Sequence, residues 1–567
     1  MKKRFMSGWF AVFTAAVLLF GLVGCSGNGQ TTVMIADGWL IRSDAQNVGE
    51  TEGWSKGFSE KEADGIEDGE VVWYSNTFET ALSGGNRQIL TLCDVDDGAK
   101  AWLNGKELDY SGGFGDIRLD VTGTARKNGK NTLVIRTEKG KAWSLSRTAL
   151  SAASDTAIMD VAVTANGVTG QLDVQVQLLE GDAPVQMTVT ATDTGAVMAK
   201  VTAQSQQGKA QLSATLHGVM PWKAVNPYLY TLEITAATER YSTDIGFADH
   251  GINESGELCD GGERVMVKGV VMPASIMADN AKMRTFVNFI RTAGFNTLRI
   301  ASGRPTRDLL SYCAATGIYV EGEATDATAP ALAQLPTDLA VLGEELVVPE
   351  TVDAAKWQAW YDQYGLDQIY ANAGEAYDAV GAAHVQAIEK QLRQLRAKSA
   401  VNGFVYAGSM APYPDTMMDV LADSVNDLRF CIEAADVAQV GDRLAFTVKV
   451  ADFHVLWERE FTATVKVSGP NGAIYEKKVT FTGERGNKVT TLLSDSVVIG
   501  TEAGTYTVSA VFDNYAHPTC SEKTVAVWAR GTMPTTAYAV EMPDEARAAM
   551  ADMGVGVADA VLSPIAG

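Results

Sequence analysis

A mainly β, multi-domain chain with an α/β part at its centre is what this 567-residue sequence predicts. Short Val- and Thr-rich runs alternate apolar and polar residues from about 37 to 245, which is the pattern of half-buried strands. From about 262 to 420 strand-like and helix-like patterns take turns, which argues for parallel βαβ units. Alternation then returns from about 430 to 529. The 54 glycines against 15 prolines suit many turns joining many strands. At roughly 150 residues per domain the length allows several domains, each with ample apolar surface to bury.

The chain opens with Lys2, Lys3 and Arg4, followed by an apolar run from Trp9 to Gly24. That run, about 16 residues, falls short of the roughly 20 that span a bilayer, and a short apolar core behind a basic start reads as an export signal. It ends in Leu22-Val-Gly-Cys25, which resembles the lipobox of bacterial lipoproteins. The resemblance implies cleavage after residue 24, a lipid thioether on Cys25 and anchoring to the bacterial cell envelope. Residues 25–36 then form a polar tether. An uncleaved membrane anchor is the alternative, and in both cases the body of the protein is exported.

With 46 Lys+Arg against 69 Asp+Glu the net charge is −23, which repels phosphate backbones and argues against nucleic acid as a partner. A hydrophobic fraction of 46% and a charged fraction of 20% exclude wholesale disorder. Cys25, Cys93, Cys259, Cys313, Cys431 and Cys520 are widely separated, with no CxxC, and the five histidines form no HxH or HExxH. These spacings predict neither a metal site nor a cofactor, and the thiols beyond Cys25 read as small buried hydrophobes.

Along the first β block, Val71 to Phe78 alternates, Asn104-Gly105 marks a hairpin, and 117–121 and 131–136 add strands. The second block, about 155 to 245, has the turn spacing of a small sandwich. In the central part, strands are expected at 265–270, 296–300 and 317–320, with helices at 281–293 and 306–316. A longer helix over 375–398 carries Val385, Ile388, Leu392 and Leu395 on one face, and 403–407 reads as a closing strand. Beyond 531 one helix-like and one apolar stretch suggest the start of a further domain.

Several of these segments resemble glycoside hydrolase family 2, the β-galactosidases, β-glucuronidases and β-mannosidases. Val72-Trp-Tyr-Ser-Asn-Thr-Phe78 and Asp94-Val-Asp-Asp-Gly-Ala-Lys-Ala-Trp-Leu-Asn-Gly105 are similar to strands of the family's N-terminal jelly roll. Asn226-Pro-Tyr-Leu-Tyr230 and Ile245-Gly-Phe247 resemble the end of its immunoglobulin-like domain. Lys268-Gly-Val270, Ala293-Gly-Phe-Asn-Thr-Leu-Arg299 and Gly317-Ile-Tyr-Val-Glu-Gly-Glu323 resemble the first three barrel strands. Behind the signal peptide (1–24) and tether (25–36) already read from the N-terminus, this resemblance implies a jelly-roll, sugar-binding-like domain (37–150). An immunoglobulin-like sandwich (151–246), a truncated TIM-like barrel (247–425), a second such sandwich (426–530) and a tail (531–567) follow.

This sequence also departs from the family pattern. Gly269-Val-Val-Met-Pro273 stands where the family has Gly-Val-Asn-x-His, and Arg299-Ile-Ala-Ser-Gly-Arg-Pro305 replaces Arg-x-x-His-Tyr-Pro, so two sugar-lining histidines are absent. The Asn253-Glu254 pair precedes the barrel and cannot serve as the family's fourth-strand acid/base. Gly262 to Val420 spans about 160 residues, whereas a complete eightfold barrel takes about 250, so only four or five strands are expected.

A retaining glycosidase needs two carboxyl groups about 5 to 5.5 Å apart. Glu321 and Glu323 lie just past the third strand, where barrel sites form, and Glu344 and Glu345 could be a remnant of the nucleophile strand; Glu323 and Glu345 are the candidate catalytic pair. A strand-end brace for Glu323 and an exposed loop for Glu344 and Glu345 are the alternatives. Arg299, which matches the family's second-strand arginine, and Asn296 are candidate substrate-binding residues. Trp357 and Trp360, in a cluster with Tyr361, Tyr364 and Tyr370, could stack on sugar faces. Trp39, Trp54, Trp73, Tyr74, Trp102 and Tyr110 crowd the first block and could be platform or core. Asp94, Asp96 and Asp97 do not meet the EF-hand pattern and read as a strand-end turn. The sequence therefore predicts either a working β-glycosidase, a carbohydrate-binding protein without catalysis, or a structural remnant, each with an oligo- or polysaccharide as the expected partner.

Overall fold

The computed structural model describes residues 31–44, 70–94, 98–109, 116–138, 147–277, 279–301, 304–322, 330–332, 335–336, 339–342, 354–397, 402–408, 426–453, 455–456, 458–484, 487–513, 520–529, 536–539, 546–548, 550 and 556–559. The expected export signal, Cys25, Glu323 and Glu345 lie outside these residues.

The first domain is a sandwich of a four-stranded and a five-stranded sheet. Its long central pair, Val71–Ala81 against Asn128–Glu138, is held in register over eleven residues. The hairpin at Asn104-Gly105 forms as expected: Leu103 pairs with Lys106, and both turn residues have positive φ, at 53° and 81°. Trp73 and Trp102 stack at 5.5 Å inside the domain and are buried, so they are core and not an exposed platform. Trp54 and Tyr110 lie outside the described residues.

The second domain is a three-stranded sheet packed on a four-stranded one, with Leu172, Val174, Val185, Met187, Leu232 and Ile234 interleaved between them. Strict alternation puts these residues on inner faces and polar ones outside. A short meander, His250–Ile252, Leu258–Asp260 and Glu263–Arg264, leads into the α/β part. Asn253 serves there as a turn residue, its side-chain oxygen accepting from the amides of Ser255 and Glu257.

The central sheet is wholly parallel and has six strands rather than four or five: β1 (Val267–Met272), β2 (Thr297–Ile300), β3 (Tyr319–Glu321), β4 (Ala331–Leu332), β5 (Ala340–Leu342) and β6 (Gly403–Tyr406). Spatial order runs β4-β3-β2-β1-β6-β5, a barrel's sequential order with no pairing between β4 and β5 among the described residues. The additional strands are β4 and β5, whose two and three residues are too short to show a period. Helix α1 (Asn280–Thr292) is capped by Asp279, and α2 (Arg307–Thr316) is capped by Thr306 and stopped by Gly317 in the left-handed region. Helix α3 (Ala354–Gln363) folds back on α4 (Ala373–Arg396), which is capped by Asn372.

The two faces of the sheet differ. Val270, Met272, Leu298, Val320, Phe404 and Tyr406 pack beneath α1, α2 and α4. Val267, Tyr319, Leu332 and Val405 face the other way, onto Trp222 and Leu258 from the preceding domain and meander. This apolar cluster fills the inner face from the amino ends of the strands up to Leu332, the neighbour of Glu321 in register.

A second sandwich, of three and five strands, follows from Leu428 to Trp528. Beyond it, Thr536–Ala539 and Gly556–Asp559 pair in parallel.

Candidate functional site

In parallel sheets of this kind, sites form at the carboxyl ends of the strands. Register determines what stands there. Thr297 pairs with Tyr319 and Leu298 with Val320, so Arg299 comes opposite Glu321 on the inner face. Arg299 Nε donates to Glu321 Oε2 at 2.7 Å, and Nη2 reaches Oε1 at 3.4 Å. The two side chains are 37% and 25% exposed, which places the fork at the open mouth rather than in the core. Glu321 is the carboxylate on the described inner strand ends, and Arg299 holds it. Glu321 and Glu323 are both expected just past this strand; Glu323 lies outside the described residues, and the partner of Glu321 is set by register, a tertiary property that spacing does not reveal.

Asn296 does not belong to this mouth. Its oxygen accepts from the Lys268 amide at 2.8 Å, and its Nδ2 donates to the Met266 carbonyl at 2.8 Å. It therefore laces β1 to β2 at their amino ends, away from the strand termini where a substrate would sit. The expected binding role is replaced by a structural one.

Trp357 and Trp360 are brought together, with ring centroids 5.9 Å apart, but in different roles. Trp357 donates Nε1–H to the Ala373 carbonyl at 2.6 Å and packs edge-on against Tyr377, so it joins α3 to α4. Trp360 is 53% exposed, and Tyr364, one turn further on, is 63% exposed. Helix α4 ends beside Met266 at the amino end of β1, through Arg396. Its 24 residues span about 36 Å, far more than the roughly 10–20 Å of the strands, so its first turns and α3 stand on the mouth side.

Among the described residues no group of three His, Cys, Asp or Glu side chains is placed to hold a metal ion. Cys93, Cys313 and Cys431 are buried, and burial pushes their thiols up, as expected for small packing residues, whereas Cys259 is only half-buried and departs from that expectation.

Residues 156–247, which cover the second domain (the first immunoglobulin-like sandwich), match the family model described as glycosyl hydrolases family 2. The resemblance to glycoside hydrolase family 2 holds. Solved structures similar to the chain include a β-D-mannosidase from Dictyoglomus thermophilum, 11% identical, covering 90% of this chain and 91% of that one, with a TM-score of 0.62. An FMN-binding β-glucuronidase from Faecalibacterium prausnitzii L2-6 is 13% identical and covers 88% of this chain and 98% of that one, with a TM-score of 0.50. A glycosyl hydrolase family 2 member from Bacteroides cellulosilyticus is also 13% identical, covering 89% and 87%, with a TM-score of 0.50. At these identities the likeness is one of fold. No curated protein matches the chain. The family 2 domain sits directly against the mouth-bearing sheet, with Trp222 Nε1 donating to the Ala314 carbonyl of α2 at 2.8 Å.

Proposed function

We propose that this is an exported, lipid-anchored carbohydrate-binding protein built on the family 2 plan, with its glycan site at the mouth of the α/β domain. The observation that supports this reading best is the Arg299–Glu321 fork. A carboxylate tied to a guanidinium is poorly suited to acid/base work, whereas a half-exposed planar ion pair suits bidentate hydrogen bonding to neighbouring sugar hydroxyls. Trp360 and Tyr364 would offer exposed ring faces for stacking. The names of the solved relatives, β-mannosidase and β-glucuronidase, favour β-linked sugars.

Titration of residues 26–567 with a panel of β-linked oligosaccharides tests this reading. Saturable binding that weakens about tenfold in Glu321→Gln is expected, in line with the loss of a charge-assisted hydrogen bond. Absence of binding to every glycan would leave only a structural remnant. Replacing Cys25 with Ser should release the protein from the membrane fraction, and unchanged membrane association would argue for the uncleaved anchor.

A second reading, a retaining β-glycosidase that uses Glu323 and Glu345, draws on the fold shared with the β-D-mannosidase over about nine-tenths of both chains. Turnover of a nitrophenyl β-glycoside that disappears in Glu323→Gln would establish that reading in place of the first.

A further inference from the structure

Away from the inner face of the sheet, three domains meet at the first turn of α2. Asp94, from the jelly-roll-like first domain, accepts the backbone N–H of Arg307 through Oδ1 at 2.9 Å. The Arg307 side chain donates to Asp116 Oδ2 of the first domain at 2.7 Å and to the Tyr241 hydroxyl of the first sandwich at 2.7 Å. Arg147 donates to both oxygens of Asp116 at 3.1 Å and to Asp308 Oδ1 of α2 at 3.1 Å. Asn280 of α1 donates to the other oxygen of Asp308 at 2.9 Å. Asp94 is 1% exposed, and its Oδ2 has no hydrogen-bond partner among the described residues.

We infer that Asp94 is a proton-operated latch: with its carboxyl neutral, the first domain docks on α2 and the first sandwich, and ionisation of that carboxyl weakens the docking. The charges facing it bear this out. Arg147 and Arg307 already balance Asp116 and Asp308, so an ionised Asp94 would be a surplus buried negative charge. Arg118, on the strand of Asp116, has Glu239 of the first sandwich as its own counter-charge, and the adjacent Cys93 is kept neutral by burial. Burial pushes the Asp94 carboxyl up; the Arg307 amide opposes this and Asp116 adds to it, leaving it at about 7. Asp116, also raised by burial, is brought below its ordinary range by Arg307 and Arg147.

A carboxyl raised in the docked form keeps its proton longer than when solvated. Docking therefore loses stability as pH climbs from about 4 to about 7, and no further above that. The latch stands apart from the glycan reading, and its test needs no sugar. Hydrogen exchange at the Arg307 amide of the full chain, corrected for the intrinsic rate, should show protection falling about tenfold or more between pH 5 and 7 and levelling above about 8. Asp94→Asn, neutral at every pH and still able to accept the Arg307 amide, should keep its protection throughout. Parallel curves for the two proteins would overturn the latch, as would an equal fall at second-sandwich amides such as Val448. Should Asp94→Asn fail to accumulate, a wild-type Arg307 amide with level protection from pH 5 to 7 would overturn it alone.

Discussion

Arg299 and Asn296 stand three positions apart on one strand segment, yet they serve opposite ends of the sheet. Arg299 holds Glu321 at the mouth, while Asn296 accepts one backbone amide and donates to one backbone carbonyl at the closed end. Their replacements should separate accordingly. Asn296→Ala leaves the buried Lys268 amide and Met266 carbonyl without that partner and should destabilise the fold by about 1–3 kcal/mol in denaturant titration, with glycan affinity unchanged. Arg299→Ala removes a half-exposed pair worth about 0–1 kcal/mol, so its melting point should barely move while glycan binding is lost. Equal thermal shifts for the two variants would contradict this division. Only part of this was legible in the sequence: Arg299 and Glu321 both stand out at expected strand ends, but their pairing is fixed by the alignment of two strands.

At the scale of elements, α2 shows how a short sequence signal is given its exact position by a distant neighbour. Thr306 and Gly317 bracket the helix as local rules require. Gly317 is needed twice over: its φ is 79°, and a Cβ there would lie 2.1 Å from the Ala224 carbonyl oxygen of the preceding domain. Gly317→Ala should therefore destabilise by about 2 kcal/mol or more, measurable as a lowered unfolding midpoint. Helices α1, α2 and α4 are legible because their apolar spacing and caps agree, and each begins within two residues of its expected start. Strands β4 and β5 are not, because two or three residues cannot display alternation; pairing with β3 and β6 defines them. Helix α3, within the aromatic cluster, likewise depends on its neighbours for support, through the Trp357 indole's bond to α4 and the Tyr361 hydroxyl's bond, at 2.6 Å, to the Tyr370 carbonyl in the connection before α4.

Across the whole molecule, domain junctions carry as much specific chemistry as the mouth does. Trp222 is fully buried between the family 2 domain and the central sheet, edge-on to Tyr319 at 5.4 Å, and Tyr319 donates to Asp260 at 2.6 Å. Trp222→Ala should cost about 3–5 kcal/mol and, because the cavity is shared, should lower the unfolding midpoints of both domains together. A midpoint shift confined to one domain would show that the junction is not cooperative. By contrast, Asp436 bridges Lys390 of α4 and Lys523 of the second sandwich near the surface, so its contribution should be small and should fade with salt.

The seam between β4 and β5, unpaired among the described residues, has a consequence for how such a molecule can be lengthened. Because the remaining strands keep a sequential circular order, additional strand–helix units could enter at that one break without re-threading any existing connection. Each newcomer would stack against its predecessor, and the hinge of variation would be a single address in the chain, between residues 332 and 340.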